Sequence, residues 1–198
     1  MKQVLPSRLR GYTLLEVLVS LIVLAVGLLG LVGLHTRVSM AELESYQRSQ
    51  ALILVQDMVD RLTANSSALR ADIGKSTTAN VYTTTLNTTD VGGSVQTCSG
   101  TGAAFDLCEW GNAIAGAAEK AADASNVGTL TNGRGCIRQP DAADPYLYMI
   151  EVSWQGRMSS SAPPSSVDCG SAGTGSAIYT SETKRRAVAV TVRVTKLL

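Results

Sequence analysis

Histidine occurs once in this chain, at His35, phenylalanine once, at Phe105, and no proline lies between Pro6 and Pro140. Each scarcity excludes something. With a single histidine there is no second His for a catalytic dyad and no cluster of histidines and carboxylates suited to metal-assisted hydrolysis. No G-x-S-x-G elbow is present either, so enzymatic readings have little to stand on. Gly74-Lys75-Ser76 ends like a phosphate-binding loop, but position 69 is leucine rather than glycine and no strand precedes it. The absence of proline leaves nothing to break a long helix in the first half of the chain. Net charge is also lacking: at +1 over 198 residues there is no global preference for nucleic acid or anionic lipid. The length suits one ordinary domain with its own core.

What is present is unevenly spread. Residues 12–34 read YTLLEVLVSLIVLAVGLLGLVGL and carry one charge, Glu16. At about 1.5 Å rise per residue they form a helix of roughly 34 Å, enough for a hydrocarbon core of about 30 Å. No second segment of this kind follows, so the expectation is one membrane span and one polar domain. Lys2, Arg8 and Arg10 precede the run and no acidic residue does, a bias that keeps the leader cytoplasmic and sends the remainder across. Cleavage after Val23-Leu24-Ala25, as in an ordinary secretory signal, would leave apolar sequence as the new terminus and is disfavoured.

Gly11 stands between Arg10 and Tyr12, and Glu16 is the fifth residue counted from Tyr12. The run Gly11-Tyr12-Thr13-Leu14-Leu15-Glu16-Val17-Leu18 resembles the class III signal of the type IV pilin-like family, with Tyr12 where phenylalanine is usual. The resemblance implies that prepilin peptidase cuts after Gly11 and N-methylates Tyr12. A carboxylate in a membrane span costs on the order of 2.5–3.5 kcal/mol and so finds a partner. The α-amine released at Tyr12, with pKa about 8, is mostly cationic at neutral pH and suits that role between neighbouring subunits. The helix dipole and interfacial water are the other candidate partners of Glu16. Gly27, Gly30 and Gly33 allow close helix packing in a filament or local melting during assembly, or are simply tolerated in a membrane helix.

Past His35 the residues Leu34, Val38, Leu52, Val55, Val59 and Leu62 keep a helical spacing, with Ala41 and Tyr46 filling intervening turns and most charges off that stripe. A helix from Tyr12 to about Asn65 is expected, roughly 80 Å long. Residues 186–195 alternate strictly, with Val188, Val190, Val192 and Val194 on one face, and form the clearest strand. Residues 146–154 form a second, more buried strand; 135–138 and 81–86 are shorter candidates. Residues 106–118 read as a short helix with Leu107, Trp110 and Ile114 on one side. A long polar loop is expected across 159–166 and 170–175. The fold class is therefore α+β, a long N-terminal helix packed on an antiparallel sheet, which is also the fold the resemblance implies.

Cys98, Cys108, Cys136 and Cys169 are even in number and all follow the apolar segment, so disulfides in an oxidising compartment are expected. Three pairings are open. Cys98–Cys108 with Cys136–Cys169 closes two local excursions and is preferred. A zinc site lacks the C-x-x-C spacing, and no cofactor or metal is expected. Asp141 and Asp144 beside Pro145 read as a surface turn. Lys184-Arg185-Arg186 with Arg193 and Lys196 could form a basic stripe for DNA; a strand edge protected by charge accounts for the same residues, and nucleic acid is not expected as a partner.

Phe105-Asp106-Leu107-Cys108-Glu109-Trp110, Gly133-Arg134-Gly135-Cys136-Ile137, Val152-Ser153-Trp154-Gln155-Gly156, Cys169-Gly170 and Arg185-Arg186-Ala187-Val188 are similar to the minor pilins known as type IV pilus modification protein PilV. That likeness implies a low-abundance subunit that initiates or modifies a pilus used in adhesion or twitching motility. The implied partners are major and minor pilins, prepilin peptidase, the inner-membrane assembly platform, membrane lipid before assembly, and a candidate tip adhesin. The implied location is the inner membrane with a periplasmic head, then the fibre. The expected divisions are a leader at 1–11, a membrane and filament-core helix at 12–34, an amphipathic continuation at 35–66 and a disulfide-bonded head at 67–198. A minor pseudopilin of type II secretion shares the leader and helix and remains the alternative.

Overall fold

With no proline to interrupt it, helix α1 runs Leu14–Ala64. The computed structural model describes residues 11–72, 91–123, 130–141, 143–171 and 178–194. The leader charges Lys2, Arg8 and Arg10, the candidate strand at 81–86 and Lys196 lie outside these residues. Further elements are helices α2 (Ser66–Asp72) and α3 (Ala103–Ile114) and strands β1 (Arg134–Arg138), β2 (Leu147–Gln155) and β3 (Arg185–Arg193). The chain divides into two compact units, Met1–Leu43 and Glu44–Leu198, so the division falls inside the expected amphipathic stretch rather than at either of its ends.

In the second unit, α1 buries Gln47, Ala51, Leu54, Val55, Met58 and Leu62, steps of three and four residues that hold one face of a helix. Leu52 and Tyr46, expected on this stripe, are instead about half exposed, at 48% and 49%. Leu52 is displaced by about 100° from Ala51 around the helix axis, which carries it off the buried face. Gln47 takes the buried place because its amide nitrogen donates to Thr131 Oγ1 at 3.3 Å.

Helix α3 begins earlier and ends earlier than expected. Gly116 adopts a left-handed φ of 74°, its N–H donates to the Ala113 carbonyl, and Ala117 N–H donates to that of Asn112 at 2.9 Å. These are the paired bonds of a Schellman stop, which glycine permits without a Cβ penalty. Leu107, Trp110 and Ile114 are all buried, as their spacing predicts, and Trp110 Nε1 donates to the Leu54 carbonyl of α1 at 2.8 Å.

The sheet is antiparallel in the order β1-β2-β3, with Cys136 opposite Glu151, Val152 opposite Val188 and Trp154 opposite Arg186. Tyr148, Ile150, Val152 and Trp154 of the central strand join the core formed with α1 and α3. Glu151 and Ser153, on the opposite face, are buried too. Cys169 N–H donates to Glu151 Oε2 at 3.0 Å, and Ser153 Oγ and Tyr179 Oη share a hydrogen bond of 2.9 Å, so the segment between β2 and β3 covers that face. On β3, Val188 and Val192 are half-buried and Val190 is 37% exposed, because an edge strand is covered less completely than a central one; Val194, just past the strand, is buried. Disulfides join Cys98 to Cys108 and Cys136 to Cys169.

Candidate functional site

The N-terminal residues form a capped helix start that is exposed throughout. Thr13 caps α1: its hydroxyl accepts from Glu16 N–H at 3.3 Å and its carbonyl from Val17 N–H at 3.3 Å. Thr13-x-x-Glu16 has the spacing of a capping box, so Glu16 sits in the first turn, where the helix dipole favours a carboxylate. That spacing was legible in the sequence and is a local reason for glutamate at this position, independent of any partner. Glu16 has no cationic partner among the described residues.

Beyond it the apolar residues are uncovered. Leu14 is 91% exposed, and Leu18, Leu21, Leu24, Leu28, Leu29, Leu31 and Leu34 are exposed as well. An added Cβ at Gly27, Gly30 or Gly33 would meet nothing within 4 Å. This helix is long and apolar enough to cross a membrane, and none of its most apolar window is buried within the chain. Covering a large aliphatic side chain is worth about 1.5–3 kcal/mol, so a run of them in water strongly favours lipid or other helices. Gly11 and Tyr12 precede the helix, are exposed, and leave open space around the Gly11 position.

In the head, the residues that sequence reading singled out for other chemistry are committed to structure. Arg185, 3% exposed, pairs with Glu182 at 2.7 Å and donates to the Val167 carbonyl. Arg186 pairs with Glu44 of α1 at 2.6 Å and donates to the Met158 carbonyl. Arg193 pairs with Asp144. Three members of the expected basic stripe are therefore neutralised locally. Asp141 and Asp144 accept main-chain bonds from Ala143 and Tyr146, as turn carboxylates do. Among the described residues no group of three or more His, Cys, Asp or Glu could hold a metal ion.

Two polar features escaped the sequence reading. Glu151 lies fully buried in β2 with Arg138 Nη2 at 2.6 Å, and Arg138 also reaches Asp168 at 3.1 Å, beside the Cys136–Cys169 bond. Gln47 Oε1 and Trp154 Nε1 are buried without a hydrogen-bond partner, a condition that costs about 1–3 kcal/mol per group. Neither could be found from local sequence, since the neighbours come from distant segments.

Residues 6–32 match the family model of the prokaryotic N-terminal methylation motif. No curated protein and no solved structure matches the chain. Over residues 6–32 the chain thus carries the N-terminal motif found in type IV pilin-like and pseudopilin-like proteins, a motif that implies processing by prepilin peptidase and assembly with other pilins. Its long N-terminal helix packed on a three-stranded antiparallel sheet is the α+β arrangement of the type IV pilin fold.

Proposed function

We propose that the chain is a minor pilin, incorporated into a type IV pilus or priming its assembly, in support of adhesion or twitching motility. Prepilin peptidase cuts after Gly11 and methylates Tyr12; residues 12–34 hold the subunit in the inner membrane and then in the filament core; the head at 67–198 is periplasmic before export. The observation that carries this reading is the junction of Gly11, Tyr12 and Glu16 with an apolar helix whose most apolar stretch none of the described residues covers. Glu16, in the first helical turn, is placed to pair with the Tyr12 amine of a neighbour, and their mutual neutralisation offsets the cost of a dry environment. In the head-bearing part of α1, Tyr46, Leu52 and Ile53 remain exposed and extend the apolar surface available to other subunits.

The test is the mass and N-terminal sequence of the protein recovered from membranes with and without active prepilin peptidase. A peptidase-dependent chain beginning at methylated Tyr12 supports the class; an uncut terminus, or one created after Ala25, overturns it. Glu16→Ala is expected to leave membrane insertion intact and to reduce recovery in sheared filaments about tenfold or more, the scale of one lost charge pair in a dry site. The methylation motif is common to pili and type II pseudopili, so deletion decides the machine. Loss of surface pili and twitching favours the pilus, whereas loss of enzyme secretion with normal pili favours the pseudopilin.

A further inference from the structure

Arg186 is the hub of a basic surface at the start of β3. Its guanidinium pairs with Glu44 of α1 at 2.6 Å and donates to the carbonyls of Met158 and Thr183. The main chain closes the same knot: Gly156 N–H donates to the Lys184 carbonyl and Ser160 N–H to that of Thr183, each at 2.8 Å. Arg48 and Ser160 line one cleft with Arg186. Residues 44–49, 154–161 and 181–188 thus share one surface, and carry five cations (Arg48, Arg157, Lys184, Arg185 and Arg186) against two carboxylates. Both carboxylates are engaged, Glu44 by Arg186 and Glu182 by Arg185. Arg48, Arg157 and Lys184 have no acid within ion-pair distance among the described residues, and all three reach solvent. A surplus of three positive charges therefore stands on this surface, in a chain whose total is +1. Met158, next to Arg157, is 41% exposed.

We propose that this surface docks on the anionic phospholipid headgroups of the membrane that holds residues 12–34. The proposal rests on that segment being a membrane anchor, and is independent of the machine the subunit serves. Chain connectivity brings lipid phosphate to it before any other polyanion. Nine residues separate Leu34 from Glu44, a tether of at most about 35 Å even when fully extended. Tethering turns docking into an intramolecular step with a high effective concentration. Near an anionic bilayer each Lys or Arg strengthens the attraction roughly fivefold. Met158 fits the same occupant, since an apolar side chain beside cations can enter the boundary between headgroups and acyl chains. Duplex DNA offers phosphates without that boundary.

Full-length protein is reconstituted into vesicles of phosphatidylcholine, pure or mixed with phosphatidylglycerol. Hydrogen–deuterium exchange is followed at residues 157–159, whose N–H groups donate to no backbone carbonyl among the described residues. The expected result is exchange slowed about tenfold or more by phosphatidylglycerol, with helix α3 unchanged. Salt at about 1 M, where the Debye length is near 3 Å, should remove the difference. Arg157→Gln and Lys184→Gln together should speed exchange again by about fivefold or more, while Arg157→Lys keeps the protection. Lys120→Gln, which removes an exposed charge elsewhere in the head, should change nothing. No dependence on phosphatidylglycerol in protein that has inserted overturns the docking proposal and leaves the anchor standing. An equal loss with Lys120→Gln means that net charge acts rather than this surface, and overturns it too. Failure to enter either kind of vesicle overturns the anchor and the proposal with it. Stronger protection by duplex DNA, added to pure phosphatidylcholine vesicles, assigns the surface to nucleic acid and overturns the lipid assignment.

Discussion

Glu151 lies at the middle of β2, where the fold leaves its carboxylate no route to water. It has no exposed surface, yet Arg138 and the Cys169 N–H both bond to its carboxylate. A buried ion pair adds little net stability when intact, but removing one partner leaves the other charge uncompensated. Glu151→Ala is therefore expected to cost about 3 kcal/mol, with Arg138 partly relieved by Asp168 and solvent. The corresponding fall in melting temperature is roughly 6–12 °C. Glu151→Gln, which keeps the shape and one acceptor, should lose less than half of that in the same thermal scan. At Arg61, burial works against the charged form, but hydrogen bonds and attraction from Asp57 and Asp106 outweigh it and raise its pKa. Its bond to Asp106 ties α1 to α3, while Asp57 holds it from one turn earlier on α1. The sequence reading placed Glu151 correctly on a strand. Its burial was not legible there, because the groups that satisfy it come from β1 and from the segment around Cys169.

At the scale of elements, packing between α3 and the sheet depends on a missing side chain. A Cβ at Gly135 of β1 would lie 2.5 Å from Ile114 Cδ1 and from ring carbons of Trp110. Trp110 cannot withdraw without giving up its bond to Leu54. Gly135→Ala should therefore destabilise the head by about 1–3 kcal/mol, seen as a lower denaturant midpoint with an unchanged slope. The two disulfides should differ in worth by loop length. Cys136–Cys169 spans 33 residues and Cys98–Cys108 spans 10. On chain entropy alone, removing the longer by a paired Cys→Ser substitution should cost about 1 kcal/mol more than removing the shorter, as read from denaturant unfolding. Equal costs would mean that native-state contacts, not loop closure, dominate. Helix α3 shows why boundaries were harder to read than existence. Its apolar spacing was plain, whereas its end depended on Gly116 accepting a left-handed turn.

For the whole molecule, the division of labour between the two units sets the expectation. Every buried core residue among those described lies at or beyond Gln47, while the exposed large aliphatics concentrate between Leu14 and Leu34. A fragment spanning 44–198 should therefore be soluble without detergent and melt within a few degrees of the full chain in micelles. Sedimentation and circular dichroism check this. A fragment that aggregates or loses its helical signal would show that the first unit contributes to head stability.

Some properties of this protein were determined by the sequence alone. The basic N-terminal residues, Gly11, Glu16 and the apolar run depend on local chemistry: charge order, a glycine ahead of an aromatic residue, and hydrophobic length. The long helix and the alternating strand β3 likewise follow from periodicity, which is read one segment at a time. Which of those faces is covered was settled by packing between distant segments. It buried Gln47 and exposed Leu52, left Val190 half-open at the sheet edge, and matched Arg185 and Arg186 with acids and carbonyls. The physical reason is the range of the interactions. A helix or strand is specified by neighbours a few positions away, but burial and charge compensation depend on residues brought together from across the chain.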